Sequence, residues 1–428
     1  MGADDPAQEF RAAQRTIQMQ LKAKRTDVRV AAVRKLAAFP LVDAARMLVQ
    51  YGLASPDDEV HRAAYETLLK FKADKDICRC LQETIETRLE KGHGDREASG
   101  ALGVLLASDS ADAVKAAQSL LERVSRAGKS GLPVLVLLAD DLGSQADEIG
   151  LRGLLKLMQL PPFPVEFSLR RAIVQNLAGI RKREAIGALL SILPSAAGEV
   201  RADIVQHLTG VSGQRLGLET QAWTDWWQAN QPRFEFPPAG QGQTVARAAL
   251  SPTAIPSYYG LPLYGTRIVF VMDTSLSMRG ARIQAAKREL LRAIGTLPPG
   301  VEFNVLVFNT RVSSWQRQLV PSTPENQQAA ALFVAAQELG WNTATYEALE
   351  VALAWDAESI YLLTDGAPDG GKIGRPAQIV AAVSQANRVR RVTINSIGIG
   401  VGPPGSDFDN FLRSLSARNF GEYHRVDH

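Results

Sequence analysis

Two carboxylates and several hydroxyls stand at spacings that suit the binding of a metal ion. Asp273, Ser275 and Ser277 alternate along one short segment, Asp-Thr-Ser-Leu-Ser. Farther along the chain, Thr343 lies in Gly-Trp-Asn-Thr-Ala, and Asp365 ends the run Tyr-Leu-Leu-Thr-Asp. Hard oxygen ligands without histidine or cysteine suit small divalent cations. These five residues therefore predict a site for Mg²⁺ or Mn²⁺.

The chain from Thr266 onward alternates between short apolar runs and amphipathic segments, which predict strands and helices respectively. The predicted strands are 267–272, 302–308, 312–315, 359–363, 391–397 and 422–425, and the predicted helices are 282–296, 324–339, 346–354, 375–387 and 407–415. Strands that are buried on both faces and alternate with helices indicate a doubly wound, Rossmann-like α/β sheet. Ligands of such sheets bind at the carboxyl ends of the strands, where Asp273 and Asp365 fall.

These residues resemble the von Willebrand factor A (VWA) domain and its metal-ion-dependent adhesion site. The Asp-x-Ser-x-Ser motif is present as Asp273, Ser275 and Ser277, and the family's threonine and second aspartate fall on Thr343 and Asp365. The resemblance implies that these five residues coordinate Mg²⁺ directly or through water, and that an acidic side chain of a partner completes the shell. One departure is Trp-Asn before Thr343, where the family more often has glycine.

Three residues near this motif are candidates for a partner-binding rim: Arg279, Trp341 and Tyr346. Arg279 fits equally well as a contact to an acidic partner or as a solvated surface charge. Asp369, in Ala-Pro-Asp-Gly-Gly, is expected to shape a turn rather than to bind metal.

Residues 8–230 have apolar side chains at helical spacing and carry a repeated pattern. Residues 28–36 align with residues 60–68, and residues 173–177 align with residues 204–208, at offsets in the low thirties. Such a period is typical of an α-solenoid, and Asp-Val-Arg followed by Ala-Ala resembles HEAT-type repeats. A non-repetitive helical bundle is the alternative. Trp223, Trp226 and Trp227 predict an aromatic core that caps the last helices.

A change of composition separates the two halves. Residues 231–264 contain six prolines among Gly-Gln and Ser-Pro-Thr segments, which predicts a semi-stiff linker. Its aromatic residues, such as Phe234 and Tyr258, are expected to lie against a domain. The predicted organisation is therefore a helical solenoid over 8–230, a linker over 231–264 and a VWA domain over 265–428.

Composition excludes several classes of protein. Apolar residues make up 46% of the chain and charged residues 22%, which is typical of folded domains. No apolar run approaches the roughly 18 residues of a transmembrane helix. Residues 1–230 carry 30 basic and 29 acidic residues, so bulk attraction to nucleic acid is not expected. The only two cysteines, Cys78 and Cys80, are expected to point to different sides of a helix, which disfavours a disulfide, and two ligands without nearby histidines fall short of a zinc site.

The start of the chain leaves the compartment open. Met-Gly-Ala-Asp-Asp-Pro lacks the basic and apolar regions of a signal peptide, which favours the cytoplasm. The same start also fits a periplasmic protein whose leader has been removed.

The sequence favours a binding protein over an enzyme, because it has no Ser/His/Asp spacing, no phosphate-binding loop and no metal site with a paired general base. The leading hypothesis is a scaffold whose Mg²⁺-bearing VWA domain binds an acidic residue of a protein partner, while the solenoid adds a second surface. Two alternatives remain. Helical repeats joined to a VWA domain look like the RNA-binding Ro ribonucleoproteins, and some VWA proteins resemble adaptors of ATPase-driven complexes.

Overall fold

The computed structural model describes residues 6–92, 94–238, 240, 245, 247–250 and 255–427. Parts of the predicted linker, including Pro252, and the first five residues lie outside the described residues. The chain divides into two compact units, Met1–Ala188 and Leu189–His428.

The first unit is all-helical, which confirms this part of the predicted fold class. Its helices are α1 (Pro6–Leu21), α2 (Thr26–Lys35), α3 (Val42–Met47), α4 (Asp58–Leu69), α5 (Lys75–Lys91), α6 (Asp95–Leu106), α7 (Ala111–Arg126), α8 (Leu132–Gln145), α9 (Glu148–Leu157), α10 (Phe167–Gly179) and the first part of α11 (Arg183–Ile192). One turn of π-helix, Leu48–Leu53, continues α3. Side-chain caps set several helix starts: Asp57, Asp74, Ser110 and Asp147 each accept a hydrogen bond from a backbone N–H in the first turn.

The two best-matched repeat segments are joined by polar contacts. Arg29 of α2 donates to Asp57, the N-cap of α4, at 2.9 Å, and the hydroxyl of Thr26 donates to the same carboxylate. Small residues allow close approach, since a Cβ on Gly52 would lie 2.3 Å from the Cβ of Ala64. The classification of these helices as HEAT-type repeats stays a prediction.

A buried polar network lies inside the first unit. His61 Nε2 lies 2.7 Å from Asp141 Oδ1, and Ser99 Oγ donates to Asp141 Oδ2 at 2.8 Å. The other ring nitrogen of His61 lies 2.8 Å from the carbonyl oxygen of Leu53. The serine thus contacts the aspartate rather than the histidine, and all three side chains are buried. This arrangement differs from a nucleophile–base–carboxylate triad, in which the base accepts the proton of the nucleophile.

The second unit begins within α11 and continues with two further helices, α12 (Gly198–Ser212) and α13 (Thr220–Asn230). The tryptophans of α13 form core, because Trp223 and Trp227 are buried and the indole N–H of Trp223 donates to the carbonyl of Gly217. Phe234 packs edge-on against Trp226 and Trp227, which places this part of the predicted linker on the helices.

Burial lowers the pKa of His207, in α12, from 6.5 to about 4. Near pH 5 the unfolded chain therefore binds a proton at His207 that the folded protein does not. The contribution of neutral His207 to the free energy of unfolding is complete above pH 6.5 and is lost as the pH falls towards 4. When the pH falls from 7.5 to 4.5, the free energy of unfolding should decrease in both proteins. We expect the decrease to be about 2 kcal/mol smaller in His207→Gln than in the wild type. The measurement is urea unfolding followed by tryptophan fluorescence, because all six tryptophans lie beyond Ala188. His424→Gln, at an exposed histidine, is the control. Equal losses in wild type and His207→Gln would contradict the prediction.

The rest of the second unit is an α/β sheet, as predicted. Its strands and helices are β1 (Ser257–Tyr258), β2 (Leu261–Pro262), β3 (Arg267–Asp273), α14 (Ala281–Gly295), β4 (Glu302–Phe308), β5 (Val312–Ser314), β6 (Val320–Pro321), α15 (Pro324–Ala335), α16 (Thr345–Ala354), β7 (Ser359–Thr364), α17 (Pro376–Asn387), β8 (Thr393–Ile399), α18 (Asp407–Ala417) and β9 (Tyr423–Val426). Strands β1 and β2 form a separate hairpin inside the predicted linker. The main sheet has the order β5-β4-β3-β7-β8-β9, with β6 also paired to β4. Neighbours from β4 to β9 are parallel, and only β5 and β6 run antiparallel.

Strand β3 is central and buried on both faces. Phe270 and Met272 pack in one apolar cluster with residues of α14 and α15, whereas Val269 and Val271 pack in the other with residues of α16, α17 and α18. Burial on both faces explains why the strand reads as a continuous apolar run. Tyr258 of the β1–β2 hairpin belongs to the first cluster, as expected for an aromatic residue in the linker.

None of the described helices combines the length and the apolar character that crossing a membrane requires.

Candidate functional site

The predicted metal ligands converge at the carboxyl ends of two adjacent parallel strands. Asp273 is the last residue of β3, and Asp365 directly follows β7. The two strands pair with Met272 opposite Leu363, so both aspartates leave the sheet at the same edge. After each strand the chain continues to a helix, α14 after β3 and α17 after β7. The carboxyl ends of such strands are where open α/β sheets bind ligands.

The Asp-x-Ser-x-Ser segment forms a tight turn that begins at Asp273. The backbone N–H of Ser275 donates to Asp273 Oδ1 at 2.7 Å, and the hydroxyls of Ser275 and Ser277 are 2.9 Å apart. Residues 276–278 then form one turn of 3₁₀ helix, with Met278 fully buried in the core. The buried side chain of Met278 anchors the turn. The alternate spacing of Asp273, Ser275 and Ser277 brings both serine hydroxyls to the side of the turn on which the Asp273 carboxylate lies.

Asp365 is held from two directions. Its Oδ1 accepts a hydrogen bond from Ser277 Oγ at 2.7 Å, which joins it to the Asp-x-Ser-x-Ser turn. Its Oδ2 accepts from Arg282 Nη1 at 2.6 Å, and Arg282 stands in the first turn of α14. The side chain of Asp365 is completely buried in this arrangement.

Thr343 approaches from the loop between α15 and α16. The N–H of Gly340 donates to the carbonyl of Thr274 at 2.9 Å, which ties this loop to the Asp-x-Ser-x-Ser turn. The N–H of Thr343 donates to Asp369 Oδ1 at 2.6 Å, so Asp369 holds the loop that carries Thr343. Asn342, immediately before Thr343, adopts a left-handed backbone conformation with φ of 55°.

Gly366 leaves a small cradle between the ligands. A Cβ on this residue would lie 3.3 Å from Ser277 Oγ and 3.8 Å from Thr343 Oγ1. Two hydroxyls from distant parts of the chain thus face the same space, next to Asp365. The structure therefore brings all five predicted residues together: Asp273, Ser275, Ser277, Thr343 and Asp365.

The site concentrates negative charge in a buried place. Burial raises the pKa of Asp273 to about 6, and the charge of Asp365 adds to this, while hydrogen bonds from Thr364 and Ser275 act in the opposite direction. A carboxylate pair of this kind favours a bound cation, because the cation offsets the cost of burying the charge. Within the described part of the chain no group of three or more His, Cys, Asp or Glu side chains could hold a metal. Two carboxylates with three hydroxyls make a hard oxygen set that fits Mg²⁺ or Mn²⁺.

The three predicted rim residues differ in exposure. Trp341 is 74% exposed, which is unusual for a tryptophan, and its carbonyl accepts from the hydroxyl of Thr310. Arg279 is exposed and, with Leu276, Ser277, Ala281 and Arg282, lines a shallow open depression. Tyr346 is half-buried against the core cluster below the loop, so much of its ring serves packing.

Sequence reasoning missed two residues that contact the carboxylates. Thr364 donates its hydroxyl to Asp273 Oδ2 at 2.5 Å, and Arg282 pairs with Asp365. Thr364 directly precedes Asp365, and a hydroxyl at the end of an apolar strand was the available signal. Arg282 stands five positions after Ser277, and nothing in that spacing distinguishes it from Arg279.

Fold and site together define a protein with an all-helical N-terminal region and an α/β fold of the von Willebrand factor A type. Residues 266–425 match the family model described as von Willebrand factor type A domain.

Part of the chain is also similar to human proteins. It is 35% identical over 172 residues to inter-alpha-trypsin inhibitor heavy chain H1 of Homo sapiens, covering 37% of this chain and 18% of that protein. It is 32% identical over 183 residues to inter-alpha-trypsin inhibitor heavy chain H4 of Homo sapiens, covering 39% and 19%. The chain thus spans about a fifth of the length of these relatives.

Two solved structures also match. One is a von Willebrand factor type A protein from Catenulispora acidiphila, at 24% identity and a TM-score of 0.34, covering 37% of this chain and 38% of that one. The other is the conserved hypothetical protein BatB from Bacteroides thetaiotaomicron, at 18% identity and a TM-score of 0.30, covering 38% and 90%.

Proposed function

We propose that this protein is a metal-dependent binding or scaffold protein without catalytic activity. The VWA match and the heavy-chain relatives fit a role in protein interaction. The observation that supports metal dependence is the grouping of two carboxylates and three hydroxyls at the carboxyl ends of β3 and β7, linked by hydrogen bonds between Ser275, Ser277 and Asp365.

In this proposal Asp273, Ser275, Ser277, Thr343 and Asp365 hold Mg²⁺ or Mn²⁺, directly or through water. The bound ion supplies a Lewis-acidic position for an acidic side chain of a protein partner. The protein itself fixes the ligands: the N–H of Ser275 orients Asp273, Ser277 orients Asp365, and Asp369 fixes the loop that carries Thr343. In the proposal, Arg279, Trp341 and Tyr346 form the rim of the site and would contact the partner around its carboxylate.

The helical region would add a second binding surface, as HEAT-type solenoids do. Two alternatives apply to the protein as a whole: an RNA-binding, Ro-like ribonucleoprotein, or an adaptor subunit of an ATPase-driven complex.

A pull-down from lysate of the source cell tests the proposal. Tagged wild type is used with Mg²⁺, with EDTA, and with EDTA followed by excess Mn²⁺, alongside the variant Asp365→Ala. We expect a protein that is captured with Mg²⁺, lost with EDTA, recovered with Mn²⁺ and absent with the variant. Asp356→Ala is the matched control, since Asp356 is exposed and stands before β7 rather than after it. Equal capture with Mg²⁺, with EDTA and with Asp365→Ala would refute metal-dependent binding. RNA that stays bound to the purified protein would favour the RNA-binding alternative.

A further inference from the structure

Arg282 places a fixed positive charge beside the candidate metal ligands. Its Nη1 lies 2.6 Å from Asp365 Oδ2 and also donates to the carbonyl of Ser277 at 3.3 Å. Its side chain is 38% exposed, whereas that of Asp365 is fully buried. The guanidinium therefore contacts both the second aspartate and the Asp-x-Ser-x-Ser turn.

A second contact fixes the position of this guanidinium. It lies over Gly400, just beyond β8, where a Cβ would be 3.0 Å from Nε and from Nη2. Gly400 has a φ of 61°, a backbone conformation that residues other than glycine rarely adopt. The absence of a side chain at residue 400 thus leaves room for the guanidinium of Arg282 where it pairs with Asp365.

The consequence concerns the charge of the site. Without Arg282, two carboxylates and a divalent cation would sum to a neutral site. With Arg282, the same groups sum to a positive site. A nearby positive charge repels the incoming cation, and it attracts an anion that arrives afterwards.

We propose that the charge of Arg282 weakens the affinity of the site for the divalent cation and strengthens the affinity of the metal-loaded site for a carboxylate of the partner. This inference rests on the proposed function. Arg282 acts here as a positioning and charge-setting residue, and it makes no contact with the cation in the proposal. A purely structural arginine would behave differently, because its loss would loosen Asp365 and weaken both binding events together.

The experiment measures the two affinities separately in the 428-residue chain. Titration calorimetry with Mn²⁺ gives the metal affinity of wild type, Arg282→Gln, Arg282→Lys and Asp365→Ala. Paramagnetic relaxation of the acetate methyl protons by Mn²⁺-saturated protein gives the carboxylate affinity, with acetamide as the uncharged probe. For Arg282→Gln we expect roughly three- to tenfold tighter Mn²⁺ binding and roughly three- to tenfold weaker acetate binding. Arg282→Lys, which keeps the charge, should stay close to wild type in both.

Changes in opposite directions support the inference. Unchanged affinities in Arg282→Gln, or weaker binding of both Mn²⁺ and acetate, would overturn it while the metal site itself stands. Failure of the wild type to bind Mn²⁺, with Asp365→Ala indistinguishable from it, would overturn both the inference and the proposed function. Thermal unfolding of each variant in EDTA shows whether it is folded. If Arg282→Gln is not folded, Arg282→Met supplies the same contrast with Arg282→Lys, because it also removes the charge and keeps an unbranched side chain.

Discussion

Asp365→Asn is expected to lower the affinity of the protein for Mn²⁺ at least about 100-fold, which exceeds the 10–100-fold typical of losing a residue that only supports a ligand. The reason is that Asp365 supplies one of the two carboxylates and also accepts the hydrogen bond that orients Ser277. Asparagine preserves the shape but removes the charge that stabilises a dication. Titration calorimetry measures the affinity directly.

The same substitution should abolish stabilisation by metal. A cation that binds only the folded state adds about 2.7 kcal/mol to its stability at one hundred times the dissociation constant. Wild type should therefore unfold at a higher temperature with Mg²⁺ than with EDTA, and Asp365→Asn should unfold at the same temperature in both. Asp356→Asn, at an exposed aspartate, should behave as wild type. A wild-type melting temperature that is indifferent to Mg²⁺, Mn²⁺ and EDTA would argue against a metal site here.

Arg247→Ala is expected to destabilise the second unit by about 3–5 kcal/mol, because it removes a buried positive charge that pairs with two acids, one of them fully buried. Arg247 is 7% exposed and lies 2.8 Å from Glu199 Oε2 and 3.3 Å from Asp203 Oδ1 of α12. Glu199 is 1% exposed and also accepts from the hydroxyl of Thr393, at the start of β8. The arginine thus joins the short helical turn Arg247–Leu250 to α12, and Glu199 joins α12 to the sheet.

Tryptophan fluorescence during urea unfolding is a selective measurement of this effect, because every tryptophan of the chain lies beyond Ala188. Lys372→Ala is a suitable control from the same unit. Lys372 pairs with Glu350 on the surface, where both side chains are well exposed, and such pairs contribute less than about 1 kcal/mol. If the unfolding midpoint of Arg247→Ala coincides with that of the control, the buried ion pairs do not stabilise the unit as argued.

The local part of the site was accessible from sequence. Asp273, Ser275 and Ser277 lie within five positions, so one turn of backbone places them together and their alternation is visible directly. The apolar runs that become β3 and β7 were equally visible, because strands buried on both faces need continuous apolar residues. Asp365 also follows such a run. Because parallel strands present their carboxyl ends at one edge of the sheet, Asp365 was expected at the same edge as Asp273.

The remaining features depended on residues that are distant in sequence. The pairing of Arg282 with Asp365 spans 83 positions, and that of Glu199 with Thr393 spans 194. Neither could be read from spacing, since an arginine at the start of a helix looks the same whether it points to solvent or to a carboxylate. Tyr346 shows the same limit, because only the packing of α16 shows that part of this residue lies against the core, while its place in the rim stays a prediction. Sequence determined the elements and the ligand types through local periodicity and backbone geometry, whereas the tertiary structure alone decided which charges became partners, because that depends on how helices and strands pack.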